Sequence, residues 1–175
     1  DGYSLVLIAP ETNPDHTVAS NWRSSVVLHG SPGFSDATTF ADWSAGHGGV
    51  SAGSDDDHDG RDGLTEYIVA GDPNVPDGGP PQFAISTMLF DVAGVVDEYL
   101  AFSVRKNLAA DDVEMISQTS TNLVNWDDAS GDLVLIEETN HGNGSASLLY
   151  RSALSRDQLP TSSFWYRLHM TLRSK

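Results

Sequence analysis

Cysteine is absent from the 175 residues, so neither a disulfide framework nor a thiolate zinc site can hold this chain together. Basic residues are scarce: nine Lys and Arg stand against twenty-five Asp and Glu, a formal net charge of −16. Binding a phosphate backbone needs a basic surface that releases counterions, so nucleic acid is not an expected partner and cations take its place. No apolar run approaches the roughly 20 residues that span a bilayer. The opening DGYSLVLIAP lacks the basic start and cleavage pattern of a signal peptide. With no initiator methionine, the chain is expected to be a fragment or a processed piece.

Catalytic signatures are missing as well. There is no Gly-x-Ser-x-Gly elbow, no phosphate-binding glycine loop and no His-Glu-x-x-His helix. His16, His29, His47, His58, His141 and His169 are scattered without metal-ligand spacing and read as loop or surface residues. Nothing singles out a pair of carboxylates for glycoside hydrolysis. The expectation is a protein that is not an enzyme.

What is present fits a folded chain rich in turns: 39% hydrophobic residues, sixteen glycines and four tryptophans. Residues 1–36 hold two strand patterns, Tyr3 to Ile8 and Trp22 to Leu28, closed by Gly30, Ser31, Pro32 and Gly33. Two strands alone are marginal and need something to pack against. Residues 37–73 change character. Thr38 or Thr39 can cap a short helix with Phe40 and Trp43 on one face, stopped by Gly46, Gly48 and Gly49. Leu64, Tyr67 and Ile68 give a second helical stripe, closed by Gly71 and Pro73.

Residues 74–82, NVPDGGPPQ, read as a linker and place a domain boundary. In residues 83–175 the period becomes two. Leu100, Phe102 and Val104 alternate with Ala101, Ser103 and Arg105. Phe164, Tyr166, Leu168, Met170 and Leu172 share one face of the last strand. Further strands are expected near Ala84 to Phe90, Val113 to Thr119, Leu133 to Glu137 and Ser147 to Tyr150. Six or seven short strands suggest a mainly β chain whose last part is an antiparallel β-sandwich of immunoglobulin or fibronectin type III appearance. A helix–calcium loop–helix segment and a few N-terminal strands precede it.

The segment DDDHDGRDGLTE carries the chemistry. Asp55, Asp57, Asp59 and Glu66 occupy positions 1, 3, 5 and 12 of a calcium loop, with Gly60 at the sharp turn of position 6. Calcium wants six to eight hard oxygens, and alternate aspartates curl around the ion. Arg61 would give its backbone carbonyl at position 7, and Glu66 would bind through both oxygens from the following helix. The all-oxygen set disfavours zinc, and magnesium prefers a tighter octahedron with retained waters. His58 falls at a non-ligand position and is expected to face solvent. Gly63 at position 9 leaves that site to water. Asp62 stands at position 8, where a paired EF-hand has an apolar residue, so the loop is expected to stand alone. Without a cation the ligand carboxylates would repel one another and leave the loop loose.

The run DDDHDGRDGLTEYIVAGDP, with FADW upstream, resembles the single calcium loop near the C-terminus of many large secreted proteins of environmental bacteria. It is also similar to thrombospondin type 3 and dockerin-like loops. In those proteins a β-rich terminal domain follows, often with a segment resembling STNLVNW, here Ser120 to Trp126. Residues Gly2 to Gly33, with GYSLVLI, NWRSS and GSPG, resemble the final strands of a lamin-tail domain. The resemblance implies a partial lamin-tail-like unit, a calcium-stabilised junction and a terminal domain, located outside the cell or at its surface.

The function expected from these readings is that of a structural and adhesive module, with calcium as its bound ion and a glycan or a cell-surface protein as further partner. Two alternatives are a carbohydrate-binding accessory module, suggested by Trp126 and Trp165, and the C-terminal piece of a secreted polysaccharide-degrading enzyme.

Overall fold

Alternating apolar and polar residues produce nine strands in the computed structural model, which describes residues 2–76, 83–159 and 165–173, and every pairing among them is antiparallel. The chain is mainly β. A hairpin of β1 (Tyr3–Leu7) and β2 (Trp22–Leu28) comes first. Two short helices follow, α1 (Phe40–Gly46) and α2 (Gly63–Val69). Four strands, β3 (Phe83–Val92), β4 (Val95–Asn107), β7 (Leu133–Asn140) and β8 (Ser145–Ser152), form one sheet in the order β3-β4-β8-β7. A smaller sheet has the order β6-β5-β9, from β5 (Val113–Ser120), β6 (Asp127–Asp128) and β9 (Trp165–Leu172).

Residues 77–82 of the expected linker and Phe164 of the expected last strand lie outside the described residues. The other strand patterns become strands, most of them longer than their apolar runs. Pairing satisfies backbone groups beyond the residues whose side chains are buried.

The two sheets meet where Phe102 of β4 packs edge-on against Tyr166 of β9, ring centres 5.1 Å apart. Phe102 and Val104 are buried, as their alternation requires. Tyr99 and Ala101 on the opposite face of β4 are buried too, because Arg151 lies across the Tyr99 ring at 4.9 Å. The expected half-buried strand is thus covered on both faces at its centre.

A second apolar cluster positions the acidic loop. Tyr67, Ile68 and Val69 of α2 pack with Ala110, Val113, Met115 and Met170, and Phe40 and Trp43 of α1 close over Tyr67 at ring distances of 5.5 and 5.4 Å. Neither seven-residue helix is long enough to persist alone in water, so this packing holds both. Thr39 caps α1, its hydroxyl accepting from the Asp42 amide. At the far end of α2 the left-handed residue is Ala70, φ 56°, rather than the Gly71 that reads as the stop.

The turn from β4 to β5, Leu108 to Asp112, gathers these parts. Asp111 accepts two hydrogen bonds from Arg23 of β2, at 2.6 and 2.9 Å. Asp112 accepts from the Phe40 amide at 2.8 Å and from the Tyr67 hydroxyl at 2.6 Å, a proton the hydroxyl shares with Thr38 O. Burial, with Asp112 close by, pushes the Tyr67 phenol well above the usual tyrosine range.

Candidate metal centre

Between α1 and α2 the chain coils through Asp55 to Arg61, and side-chain oxygens rather than a backbone ladder set its path. The Gly60 amide donates to Asp55 Oδ2 at 3.1 Å, the Asp59 amide to Asp57 Oδ1 at 3.1 Å, and the Arg61 amide to Asp59 Oδ1 at 2.9 Å. Short acidic side chains capture amides two to five residues ahead, the Asx-turn chemistry that competes with regular structure. Gly60 takes φ +94°, a conformation costly for any residue with a Cβ.

Each aspartate thereby uses one oxygen on the loop and holds the other back. Asp55 Oδ1, Asp57 Oδ2 and Asp59 Oδ2 are all buried and make no hydrogen bond. The three carboxylates place ligand oxygens within 4.8 Å of one another. The Asp59 side chain is only 7% exposed. Burying ionised carboxylates costs several kcal/mol each unless a cation offsets it, and although Arg61 stands beside Asp59 Oδ2, the three converging oxygens could also hold a metal ion. The residues present therefore fit a hard divalent ion.

Glu66 lies in the first turn of α2 and is 1% exposed. Its carboxylate is not among the three that converge; Arg61 joins it to them, with Nη1 3.2 Å from Glu66 Oε1 and 3.4 Å from Asp59 Oδ2. Arg61 thus brings its guanidinium to the site, a contribution the expectation of a carbonyl ligand did not include. One guanidinium offsets one of the four carboxylate charges.

Two roles go beyond the sequence reading. Asp62, noted there for breaking the paired EF-hand pattern, is the N-cap of α2, its carboxylate accepting from the Thr65 amide at 2.8 Å. Gly71 makes room for Glu66: a Cβ there would stand 1.5 Å from Glu66 Oε2. The Asp-x-x-Thr spacing is a signal for the cap. Nothing local announces the close approach of Gly71.

His58 is exposed, its Nδ1 3.0 Å from the Asp55 carbonyl oxygen. The Trp126 ring, considered above as a sugar-stacking surface, is covered by the Arg167 guanidinium at 4.2 Å. No helix among the described residues is long and apolar enough to cross a membrane. No family model matches the chain, and neither a curated protein nor a solved structure matches it, so the meaning of the site rests on its own geometry.

Proposed function

We propose that this chain is a calcium-stabilised, non-catalytic module of a secreted or cell-surface bacterial protein, with a structural and adhesive task. Asp55, Asp57, Asp59, the Arg61 carbonyl and Glu66 are the proposed protein ligands of a single Ca²⁺. The observation that carries the reading is the divided use of the aspartates, each with one oxygen on a loop amide and one buried without a hydrogen bond. Oxygens on opposite sides of a calcium ion stand about 5 Å apart, twice a bond of roughly 2.5 Å, and the cluster falls inside that span. The all-oxygen donor set argues against zinc.

The finer architecture assigned with this reading is a helix–calcium loop–helix segment set against a β-sandwich of immunoglobulin or fibronectin type III kind. The Phe102–Tyr166 contact between the two sheets supports the sandwich, and the packing of α2 on Val113 and Met170 supports a rigid junction. Extracellular modules work with dissociation constants of about 10⁻⁴ to 10⁻³ M, which suits a loop whose charge Arg61 already reduces.

Thermal unfolding in chelator, in CaCl₂ and in NaCl of matched ionic strength tests the proposal. At about 100 times the dissociation constant, calcium adds roughly 2.7 kcal/mol, a shift of several degrees for a chain of this size. The NaCl arm measures the relief of self-repulsion alone. Equal melting temperatures in CaCl₂ and NaCl would remove the case for a calcium site.

A further inference from the structure

Two of the nine basic residues line one cavity. It measures about 200 Å³ and lies where the N-terminal hairpin, α2 and the ends of β4, β5, β8 and β9 come together. Ile68, Val113 and Met115 are among its apolar lining residues, and Lys106, Arg173 and Tyr150, each of which carries a hydrogen-bond donor, line the same space.

Among the described residues no hydrogen bond or ion pair holds the Lys106 ammonium. Burial pushes it below the usual lysine range; Asp111 and Glu138 oppose that shift from a distance, and Arg173 adds to it by repulsion. Both nearby acids are engaged elsewhere, Asp111 by Arg23 and Glu138 by the Ser24 hydroxyl at 2.7 Å. Arg173 is tied to the fold through its backbone amide, which donates to Asp112 O at 2.7 Å, and its guanidinium has no ion-pair partner among the described residues. Burial also keeps the Tyr150 phenol protonated beyond the usual range, hence a donor. Two cations and a phenol line one small space, and among the described residues no carboxylate is hydrogen-bonded or ion-paired to either cation.

We propose that this cavity binds a small organic carboxylate, its oxygens received by Lys106, Arg173 and the Tyr150 hydroxyl and its short apolar tail lying on Ile68, Val113 and Met115. Arginine's planar fork matches a carboxylate. The apolar wall disfavours sulfate or inorganic phosphate. Sites for drug-sized ligands begin near 300 Å³, so the guest has only a handful of heavy atoms.

The full chain, titrated with sodium butyrate at constant ionic strength and followed by ¹H–¹⁵N NMR, tests this. Saturable shifts are expected at the amides of Ile68, Val113 and Met115, with a dissociation constant on the order of 1 to 10 mM for so small a ligand. Lys106→Met is expected to weaken binding at least tenfold. Arg173→Gln, at an exposed position, is expected to weaken it by a smaller factor. The neutral butyramide and inorganic sulfate are expected not to compete. The proposal is overturned by equal binding of butyramide, by parental affinity in both variants, or by no saturable shift up to about 50 mM butyrate.

Discussion

A carboxylate has two oxygens, and the acidic loop exploits that at Asp55, Asp57 and Asp59. One oxygen of each fixes the backbone, and the other is left buried beside its counterparts. Removing a single loop carboxylate would therefore remove a proposed ligand and loosen the coil together, which makes Asp→Asn changes hard to interpret. Gly71 separates the two effects. Its backbone accepts alanine, but the new methyl would meet the Glu66 carboxylate at 1.5 Å and turn it away, leaving the three aspartates untouched. Gly71→Ala is expected to weaken calcium binding more than tenfold by calorimetry. Gly46→Ala, in open space on α1, is expected to leave affinity unchanged. If Gly71→Ala binds calcium as the parent does, Glu66 is not a ligand.

At the scale of elements, α2 links the acidic loop to the rest of the fold, because Glu66 and Tyr67 are successive residues with different partners. Tyr67 donates to Asp112 and Thr38 O, joining α2 to the start of β5 and to the residue before the α1 cap. Tyr67→Phe leaves both half-buried acceptors with one bond fewer, at a cost of about 1 to 2 kcal/mol. The pH dependence has a definite sign. A phenol whose folded pKa is raised contributes stability that is complete below the unfolded value near 10 and is lost as pH rises beyond it. Urea unfolding at pH 7 and at about pH 10.5 is expected to show a steeper loss for the parent than for Tyr67→Phe. The remaining slope includes Tyr150 and Tyr166, whose phenols burial also raises, and Lys106, whose lowered pKa works in the opposite direction. Elements were legible in the sequence wherever one local rule decided them: period two in β4 and β9, a threonine before FADW, alternate aspartates before a glycine. Tyr67's partners were not, since Asp112 lies 45 residues away and no spacing rule reaches it. Gly71 misleads for a related reason. Its position after α2 looks like a helix stop, while Ala70 makes the left-handed turn and Gly71 answers to Glu66.

For the whole molecule, the Leu108–Asp112 turn is where the N-terminal hairpin, the helices and the sheets are tied, and Arg23 is the longest of those ties. The guanidinium is 2% exposed and reaches Asp36 at 2.7 Å and Asp111 at 2.6 Å. An arginine in the strand WRSSVVL reads as surface from sequence alone, because the acids that accept it lie 13 and 88 residues further on. Arg23→Leu strands two buried carboxylates and is expected to cost about 3 to 5 kcal/mol at neutral pH. The triple change Arg23→Leu, Asp36→Asn, Asp111→Asn removes charge and partner together and should recover much of that loss. Desolvation alone would raise the Asp36 carboxyl; the Arg23 and Val26 bonds outweigh it and hold the group below the usual aspartate range. A depressed folded pKa gives stability that is present above the unfolded value near 4 and is lost as pH falls through the folded one. Unfolding measured from about pH 7 to pH 3 is therefore expected to show an acid limb in the parent that flattens in the triple variant. Hydrogen exchange adds the spatial half of the test. In Arg23→Leu the amides of β1 and β2 should lose protection first, because β4 and β8 keep their own pairing through Ala101 to Asn107. Simultaneous loss of protection in β1, β2, β4 and β8 would instead mean that the hairpin and the four-stranded sheet unfold as one unit, with Arg23 inside it rather than at its joint.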